Sequence, residues 1–243
     1  MKTKRYKEIQ KYVMENNISQ EESQKIMIER PSEIVIFTDE NNNIGGSLHL
    51  WHNRPDYKGE RTSYIGNVNI YEKYRKNEEK LFNEVFEELK KEGIETIIGP
   101  LNGTTWNTYR YVTEKGSRRQ FLLEPWNEDY SVSLFEKLEF KPLAGYISTI
   151  MEGMDSDGRK NLNKKIEKLK KFDYYKDIKV ESAENKDLLT VLNKVYDLTV
   201  GAFKNNFLYS ELEREIFLKM YMSYEDKIVK KFFKMLYLKG ELI

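Results

Sequence analysis

The sequence predicts an α/β protein: a mixed, twisted sheet with helices on both faces, followed by a partial second α/β unit. First, in EIVIFTDENNNIGGSLHLWHN, residues 33–53, two apolar segments flank a polar turn and indicate a β-hairpin. Second, the order strand, helix, strand between residues 61 and 98 implies a right-handed crossover between parallel neighbours. Third, a further series of helices and strands follows residue 160.

Two short helices are predicted before the hairpin. The first is indicated by apolar residues at helical spacing: Tyr6, Ile9, Val13 and Met14. Ser19 is the expected N-cap of the second helix, because Glu22 three residues later completes a capping box. Pro31 ends this helix.

The crossover helix carries one apolar stripe, formed by Leu81, Phe82, Val85, Phe86 and Leu89. Glu78 and Glu79 in its first turn suit the helix dipole, and Gly93 is a natural C-cap. After it we expect strands at 94–98, 121–123 and 143–151, and a helix from Asp129 to Leu138.

The C-terminal part is predicted to be a separate unit. We place a domain at 1–151, a linker at 152–159, and a helical, partial second unit at 160–243. The second unit begins with a basic amphipathic helix at 160–171 and continues with a strand at 178–182. Two helices follow, at 183–203 and 210–224. It ends in a hairpin around Lys239-Gly240.

Composition excludes several classes of protein. Lys and Arg number 41 against 40 Asp and Glu, so there is no basic surplus for nucleic acid. The absence of cysteine excludes disulfides and thiolate chemistry. His49 and His52 have only Asp56 as a nearby carboxylate, so we expect no metal site. No apolar run approaches a membrane span and no signal-peptide core is present, so we expect a cytoplasmic protein without membrane contact.

Two segments carry a resemblance to a known family. IYEKYRKN, residues 70–77, is similar to a strand end followed by a pyrophosphate-binding loop. NEDYSVSLFEKLEF, residues 127–140, is similar to a helix that usually ends in Leu-Tyr-Glu-Lys-Leu-Gly-Phe. With the order of elements, residues 32–151 resemble the GNAT superfamily of N-acetyltransferases. The resemblance implies acetyl transfer from acetyl-CoA, as co-substrate, to an amine.

The resemblance also implies the cofactor-binding residues: the backbone of Ile70, with Arg75, Lys76 and Asn77. In such a loop, backbone N–H groups at a helix N-terminus hold the pyrophosphate, and glycines let the backbone approach it. This chain departs from that pattern, because residues 71–80 contain no glycine. Glutamates 78 and 79 also place negative charge where phosphates would lie. We therefore expect no tight binding of acetyl-CoA at this loop.

The second segment departs from the family as well. Phe135 stands where the family's tyrosine acts as general acid, and Glu139 stands where the family has glycine. A phenyl ring has no proton to give. Tyr130 and Tyr109 are therefore the residues that we name for proton transfer.

The stretch GPLNGTTWNTYRYV, residues 99–112, begins where the predicted sheet opens. In open α/β sheets the crevice beyond the strand ends is the usual ligand site. We name Trp106, Arg110, Trp126 and Asn127 as substrate-binding residues, with Arg110 for an anionic group. Alternatively, the aromatic residues only cap the open sheet, and Arg110 pairs with a glutamate.

The C-terminal unit resembles the beginning of a second GNAT unit, which suggests a tandem protein. VIFTDENNNIGG and MLYLKGEL both combine a strand, a polar turn and glycine. The sequence stops before a second pyrophosphate loop, so we expect an uncovered strand edge and an uncovered apolar helix face. These would be covered by docking on the N-terminal unit, by forming a homodimer, or by domain swapping.

Two functions follow from these patterns. The first is acyl-CoA-dependent N-acetyltransfer to an unknown amine. The second is a non-catalytic, GNAT-like module with a degraded coenzyme A loop that binds a ligand or a protein. In either case the expected partner is a small-molecule amine or acyl ligand, or a neighbouring domain.

Overall fold

We describe a computed structural model of the protein, which defines residues 1–121, 123–150, 153 and 155–243. The chain divides into two compact units. Unit 1 comprises residues 1–141 together with 206–210, and unit 2 comprises residues 142–205 and 211–243.

Unit 1 contains a five-stranded sheet of order β1-β2-β3-β4-β5. The strands are β1 (Lys2–Tyr6), β2 (Glu33–Thr38), β3 (Ile44–Trp51), β4 (Thr62–Ile70) and β5 (Thr96–Ile98). The first four pair antiparallel, which confirms the predicted hairpin of β2 and β3. β4 and β5 are parallel neighbours joined by α3 (Glu78–Lys91), as predicted. The sheet is therefore mixed.

Helices cover both faces of this sheet, which confirms the predicted fold class. On one face, α3 and α4 (Asp129–Lys137) pack on the strands through Val35, Phe37, Leu48, Leu50, Ile65, Leu81, Phe82, Val85, Leu89, Leu134 and Phe135. On the other face, α1 (Ile9–Glu15) and α2 (Gln20–Glu29) contribute to a core of Tyr6, Tyr12, Ile26, Ile34 and Ile36. The alternation of Ile34 to Phe37 between the two cores is that of a strand buried on both faces.

β4 carries a β-bulge. On β3, Ser47 lies opposite Asn69 and His49 lies opposite Gly66, so β4 advances one residue more than its partner. Asn67 has a positive φ of 45°, which asparagine tolerates better than most residues. Before the bulge β5 pairs with Thr62–Tyr64, whereas β4 continues to Ile70. The regular pairing of β4 with β5 therefore ends before the bulge.

Helix ends follow their local sequence. The Ser19 hydroxyl accepts a hydrogen bond from the backbone N–H of Glu22 at 3.1 Å, as expected of an N-cap. A 3₁₀ helix, Glu72–Asn77, leads directly into α3. Past the end of α4, Glu139 has a φ of 63°, the left-handed conformation for which the family uses glycine.

Several predicted elements differ in the structure. β1 lies almost entirely before the first predicted helix, where no element was predicted; its lysines are exposed, as is common in an edge strand. Phe121 and Leu123 lie outside any strand, and Leu122 lies outside the described residues. Residues 143–150 are not a strand either, and Met151 is not described. Alternating apolar residues are not sufficient for a strand, since a strand also needs a neighbour to complete its hydrogen bonds.

Unit 2 combines helices with a small antiparallel sheet. Its helices are α5 (Ser156–Leu169), α6 (Leu188–Phe203) and α7 (Arg214–Met222), and its strands are β6 (Ile178–Ser182), β7 (Lys234–Leu238) and β8 (Glu241–Leu242). Residues 156–159, predicted as linker, begin α5, because Asp155 caps that helix at the N–H of Gly158. Lys239 and Gly240 both have positive φ and form the predicted tight turn. No helix in the described parts of the chain is both long and apolar enough to cross a bilayer.

Candidate active site

A group of polar side chains lies where β4 and β5 separate. They are Glu29, His49, Asn67 and Asn102, called here the bulge cluster, and they come from four different elements of unit 1. Three of them are almost completely buried, and Asn67 is partly exposed. Buried polar groups at the open end of a sheet are unusual unless they are used or fully paired.

The local fold brings each residue to this place. Glu29 is the last residue of α2, and its carbonyl accepts a hydrogen bond from Nε1 of the buried Trp51 at 2.8 Å. Asn67 is the bulge residue of β4. Asn102 follows β5, where the N–H of Leu101 donates to the carbonyl of Ile65 at 2.8 Å. The chain after β5 thus stays against β4 as far as the bulge.

Amide groups hold the carboxylate in the bulge cluster. Nδ2 of Asn67 donates to Oε2 of Glu29 and lies 3.1 Å from Nδ1 of His49. Nδ2 of Asn102 donates to Oδ1 of Asn67 at 2.6 Å and to Oε1 of Glu29 at 3.4 Å. Oδ1 of Asn102 accepts from the backbone N–H of Asn67 at 3.0 Å. The two asparagines therefore fix each other and the carboxylate.

Burial changes the protonation of both titratable groups. The pKa of Glu29 is raised because desolvation disfavours its charged form, although Lys25, Asn67 and Asn102 oppose the shift. Desolvation, aided by Lys25, lowers the pKa of His49 to about 4. At neutral pH the imidazole is therefore neutral. A carboxylate with a raised pKa beside a neutral imidazole is suited to accept a proton.

A second buried carboxylate lies at the start of α3. Glu78 is only 1% exposed; its carboxylate accepts a hydrogen bond from the Tyr130 hydroxyl and lies 2.7 Å from Nζ of Lys137. The guanidinium of Arg75 stacks on the Tyr130 ring at 3.6 Å. These four residues are called here the helix-start cluster. Burial and the bond to Glu78 raise the pKa of Tyr130, so its phenol is protonated at neutral pH.

The helix start does not fit a coenzyme A pyrophosphate in the manner of the family. The position of the glycine-rich loop is taken by a 3₁₀ helix without glycine, residues 72–77. Arg75 is engaged by Tyr130, by Glu128 at 3.2 Å and by the carbonyl of Ile70 at 3.4 Å. The first-turn carboxylate of Glu78 is part of the packed interior.

The structure places the other predicted site residues as follows. Arg75 contacts Tyr130, and its Nε donates to the carbonyl of Ile70. Lys76 is exposed, and the side-chain amide of Asn77 donates to the sulfur of Met1.

On the substrate side, Tyr109 packs on the buried cluster of Trp51, Tyr64, Ile98 and Leu101, and the guanidinium of Arg110 lies over the Tyr109 ring at 4.5 Å. Nε1 of Trp106 donates to the carbonyl of Ser210 at 3.2 Å. Trp126 is exposed near Lys115, and Asn127 bonds the backbone of Val112.

The bulge cluster is absent from the site residues predicted by sequence. Asn67 lies 38 positions after Glu29, and Asn102 lies 73 positions after it, so no local spacing reveals the cluster. A weak signal exists: Glu29 is a carboxylate at a helix end followed closely by a proline and a buried strand. His49 was considered only as a metal ligand.

A comparison with solved structures finds proteins that are named as acetyltransferases. No protein-family model and no curated protein matches the chain. An aminoglycoside acetyltransferase from an uncultured soil metagenomic sample, solved with trehalose, is 15% identical with a TM-score of 0.37, over 62% of this chain and 96% of that one. A putative acetyl transferase from Pyrococcus furiosus is 14% identical, with a TM-score of 0.34, over 62% and 100%. Glucosamine-6-phosphate N-acetyltransferase from Arabidopsis thaliana is 11% identical, with a TM-score of 0.34, over 63% and 100%.

These three proteins are acetyltransferases by name. The TM-scores are low, so the fold class rests on the topology of the chain itself. That topology is the mixed sheet, the parallel pair β4 and β5 joined by α3, and helices on both faces.

Proposed function

We propose that unit 1 transfers an acyl group from an acyl thioester to an amine, with Glu29 as the general base. The observation that carries this proposal is the buried carboxylate of Glu29, with its raised pKa, beside the bulge where β4 and β5 separate. The region beyond the carboxyl ends of parallel strands is a usual place for a ligand. A base poised towards neutral pH is what removal of an amine proton requires.

Each member of the bulge cluster has a task in this proposal. Glu29 takes the proton from the amine nitrogen. Asn67 and Asn102 hold the carboxylate oxygens by hydrogen bonds and keep the group oriented. Nδ1 of His49 accepts a second hydrogen bond from the Asn67 amide. Burial keeps the imidazole neutral, so it places no positive charge beside the carboxylate of Glu29.

The acyl group belongs, in this proposal, beside residues 68–70 of β4, beyond the segment that pairs with β5. Acetyl-CoA, when bound, would supply the activated acyl group.

Of the two tyrosines proposed for proton transfer, Tyr130 has its phenol engaged with Glu78. Tyr109 packs on Leu101, the residue before Asn102, and is the better placed to protonate the leaving thiolate. Trp106 and Arg110, close to Tyr109 in sequence, are proposed to bind the acceptor.

The proposal is tested by measuring thiol release from acetyl-CoA and from S-acetyl-N-acetylcysteamine in the presence of a panel of primary amines. We expect amine-dependent release that the Glu29→Gln variant loses. Glu22→Gln, an exposed glutamate on the same helix, is the matched control and should leave the rate unchanged. Absence of amine-dependent release with every acceptor, or full activity of Glu29→Gln, would contradict the proposal.

One observation favours the second candidate, a non-catalytic ligand-binding module. The helix-start cluster is filled by the chain's own carboxylate. Thermal shift separates the two candidates, because a ligand that binds only the native state raises the melting temperature. A module of this kind would be stabilised by an amine or acyl ligand and would release no thiol.

A further inference from the structure

The negative charge at the start of α3 is supplied by a side chain of the protein. The N-terminal turn of a helix attracts negative charge, and in nucleotide-binding proteins that charge is a phosphate. Here the charge belongs to Glu78, which is buried and held by Lys137 at 2.7 Å and by the Tyr130 hydroxyl. The chain's own carboxylate therefore takes the place that a phosphate would need.

The charges of this region are balanced without a ligand. Arg75 and Lys137 supply two positive charges, and Glu78 and Glu128 supply two negative ones in direct contact with them. An incoming pyrophosphate would find both Arg75 and Lys137 already paired with carboxylates. It would also have to break the contact between Lys137 and Glu78 in order to gain Lys137 as a partner.

The backbone is equally closed. Residues 72–77 form a 3₁₀ helix. The ring of Tyr74 packs directly on Gly45, where an added Cβ would lie only 2.8 Å from the ring. The Tyr74 hydroxyl donates to Asp39 at 3.0 Å. Both contacts fix the segment against the β2–β3 hairpin, so its N–H groups cannot open into a phosphate cradle without loss of packing.

We propose that unit 1 recognises its donor as an acyl-pantetheine thioester, and that the nucleotide of coenzyme A adds no affinity. This inference rests on the proposed function. The ammonium group of the acceptor loses one proton to Glu29, and the free amine attacks the thioester carbonyl; a C–N bond forms and the C–S bond breaks. The nitrogen gives up a second proton as the amide forms, and the leaving thiolate gains one proton and becomes the thiol. Nothing in this step requires the pyrophosphate or the adenosine.

The test compares donors with and without the nucleotide. We expect kcat/KM for acetyl-CoA and for S-acetylpantetheine to agree within about twofold in the wild-type protein. In Glu78→Gln, Lys137 is freed of its carboxylate, so acetyl-CoA should become the better donor by about tenfold, roughly the effect of one charge interaction. Glu87→Gln, an exposed glutamate further along α3, is the matched control and should show no such change. Adding Lys137→Met to Glu78→Gln should abolish the gain.

A binding measurement keeps this inference separate from the proposed function. Calorimetric titration of adenosine 3′,5′-bisphosphate should give no heat with the wild type and measurable heat with Glu78→Gln, even if neither donor supports transfer. Absence of transfer from both donors would contradict the proposed function, while a gain of bisphosphate binding in Glu78→Gln would still support the closed helix start. The inference would be overturned if the wild type preferred acetyl-CoA by about tenfold or more and Arg75→Ala removed that preference. Equal binding by Glu78→Gln and Glu87→Gln, both folded by circular dichroism, would also overturn it.

Discussion

Two buried glutamates of unit 1 differ in the partners that surround them. Glu29 is 5% exposed and contacts two amides, with the ammonium group of Lys25 4.0 Å from its carboxylate, whereas Glu78 is 1% exposed and contacts a phenol and an ammonium group at 2.7 Å. An amide partner is neutral and only partly offsets the cost of burying a charge, whereas a cation in direct contact offsets it more fully. Burial alone therefore does not make a carboxylate reactive. The charge of its partners and their distance decide whether it is suited to exchange a proton or to hold structure.

The largest expected effect separates the two glutamates by catalytic rate. Glu29→Gln removes the proposed base, so kcat should fall by about 10²–10⁴-fold, the usual contribution of a general base. Glu78→Gln should leave kcat with S-acetylpantetheine within about threefold, because Glu78 touches no reacting atom in our proposal. Initial rates with a saturating amine measure both. Equal losses in the two variants would show that the clusters do not differ in role.

The next effect concerns the amide side chains that hold Glu29. Asn102→Ala removes the acceptor of the Asn67 backbone N–H and the donors to Asn67 and Glu29. Because it leaves buried groups unpaired, it should lower the free energy of unfolding by about 2–3 kcal/mol. Urea denaturation measures this loss. The exposed Asn53→Ala should change stability by less than about 0.5 kcal/mol.

The two glutamates should also affect stability in opposite directions at pH 7. Because burial raises the pKa of Glu29, the folded state binds its proton more tightly than the unfolded state does. The wild type should therefore lose stability relative to Glu29→Gln as pH rises from about 4.5, the ordinary glutamate value, through the raised pKa. Glu78→Gln should be less stable than the wild type at pH 7 by about 1–2 kcal/mol, since it removes a hydrogen-bonded charge. Denaturation curves from pH 4 to 8 test both signs.

The smallest effect tests the helix that carries Tyr130 and Lys137. Glu139 adopts a left-handed conformation with a φ of 63°, so Glu139→Gly should stabilise the protein by about 1 kcal/mol. Glu136→Gly, three positions earlier and inside α4, should destabilise it by about 1 kcal/mol, because glycine is a poor helix former. Melting temperatures of the pair should move in opposite directions.

Much of unit 1 is predictable from sequence because its signals are local. The β2–β3 hairpin, α3 and its capping residues follow from apolar periodicity and turn residues within short windows. β1 was missed because Lys2, Lys4 and Arg5 give it the composition of a polar segment, although Tyr6 is buried. The strand predicted at 143–151 failed for the opposite reason: its apolar pattern is suitable, but Ile147 is 90% exposed and the described residues give it no strand pairing.

The candidate site was harder to predict because tertiary structure assembles it. Arg75 and Tyr130 were named from a family resemblance and do lie together, but they lie with Glu78, whose inward orientation no pattern reveals. Asn102 was not named as a site residue from sequence. Its side chain bonds β4 because the chain after β5 returns to that strand. Such a return depends on packing and not on propensity.

The bulge of β4 links the core of unit 1 to its candidate site through one residue. Ile65 and Val68 both pack on the α3–α4 core although three positions separate them, which strict alternation forbids and the extra residue Asn67 permits. Loss of Asn67 would turn Val68 and Ile70 out of that core as well as removing an amide from Glu29. The extra residue in β4 thus serves the packing of the core whether or not unit 1 is a catalyst. Glu29 lies on α2 and not in the sheet, so under our proposal its side chain is the more direct indicator of acyl transfer.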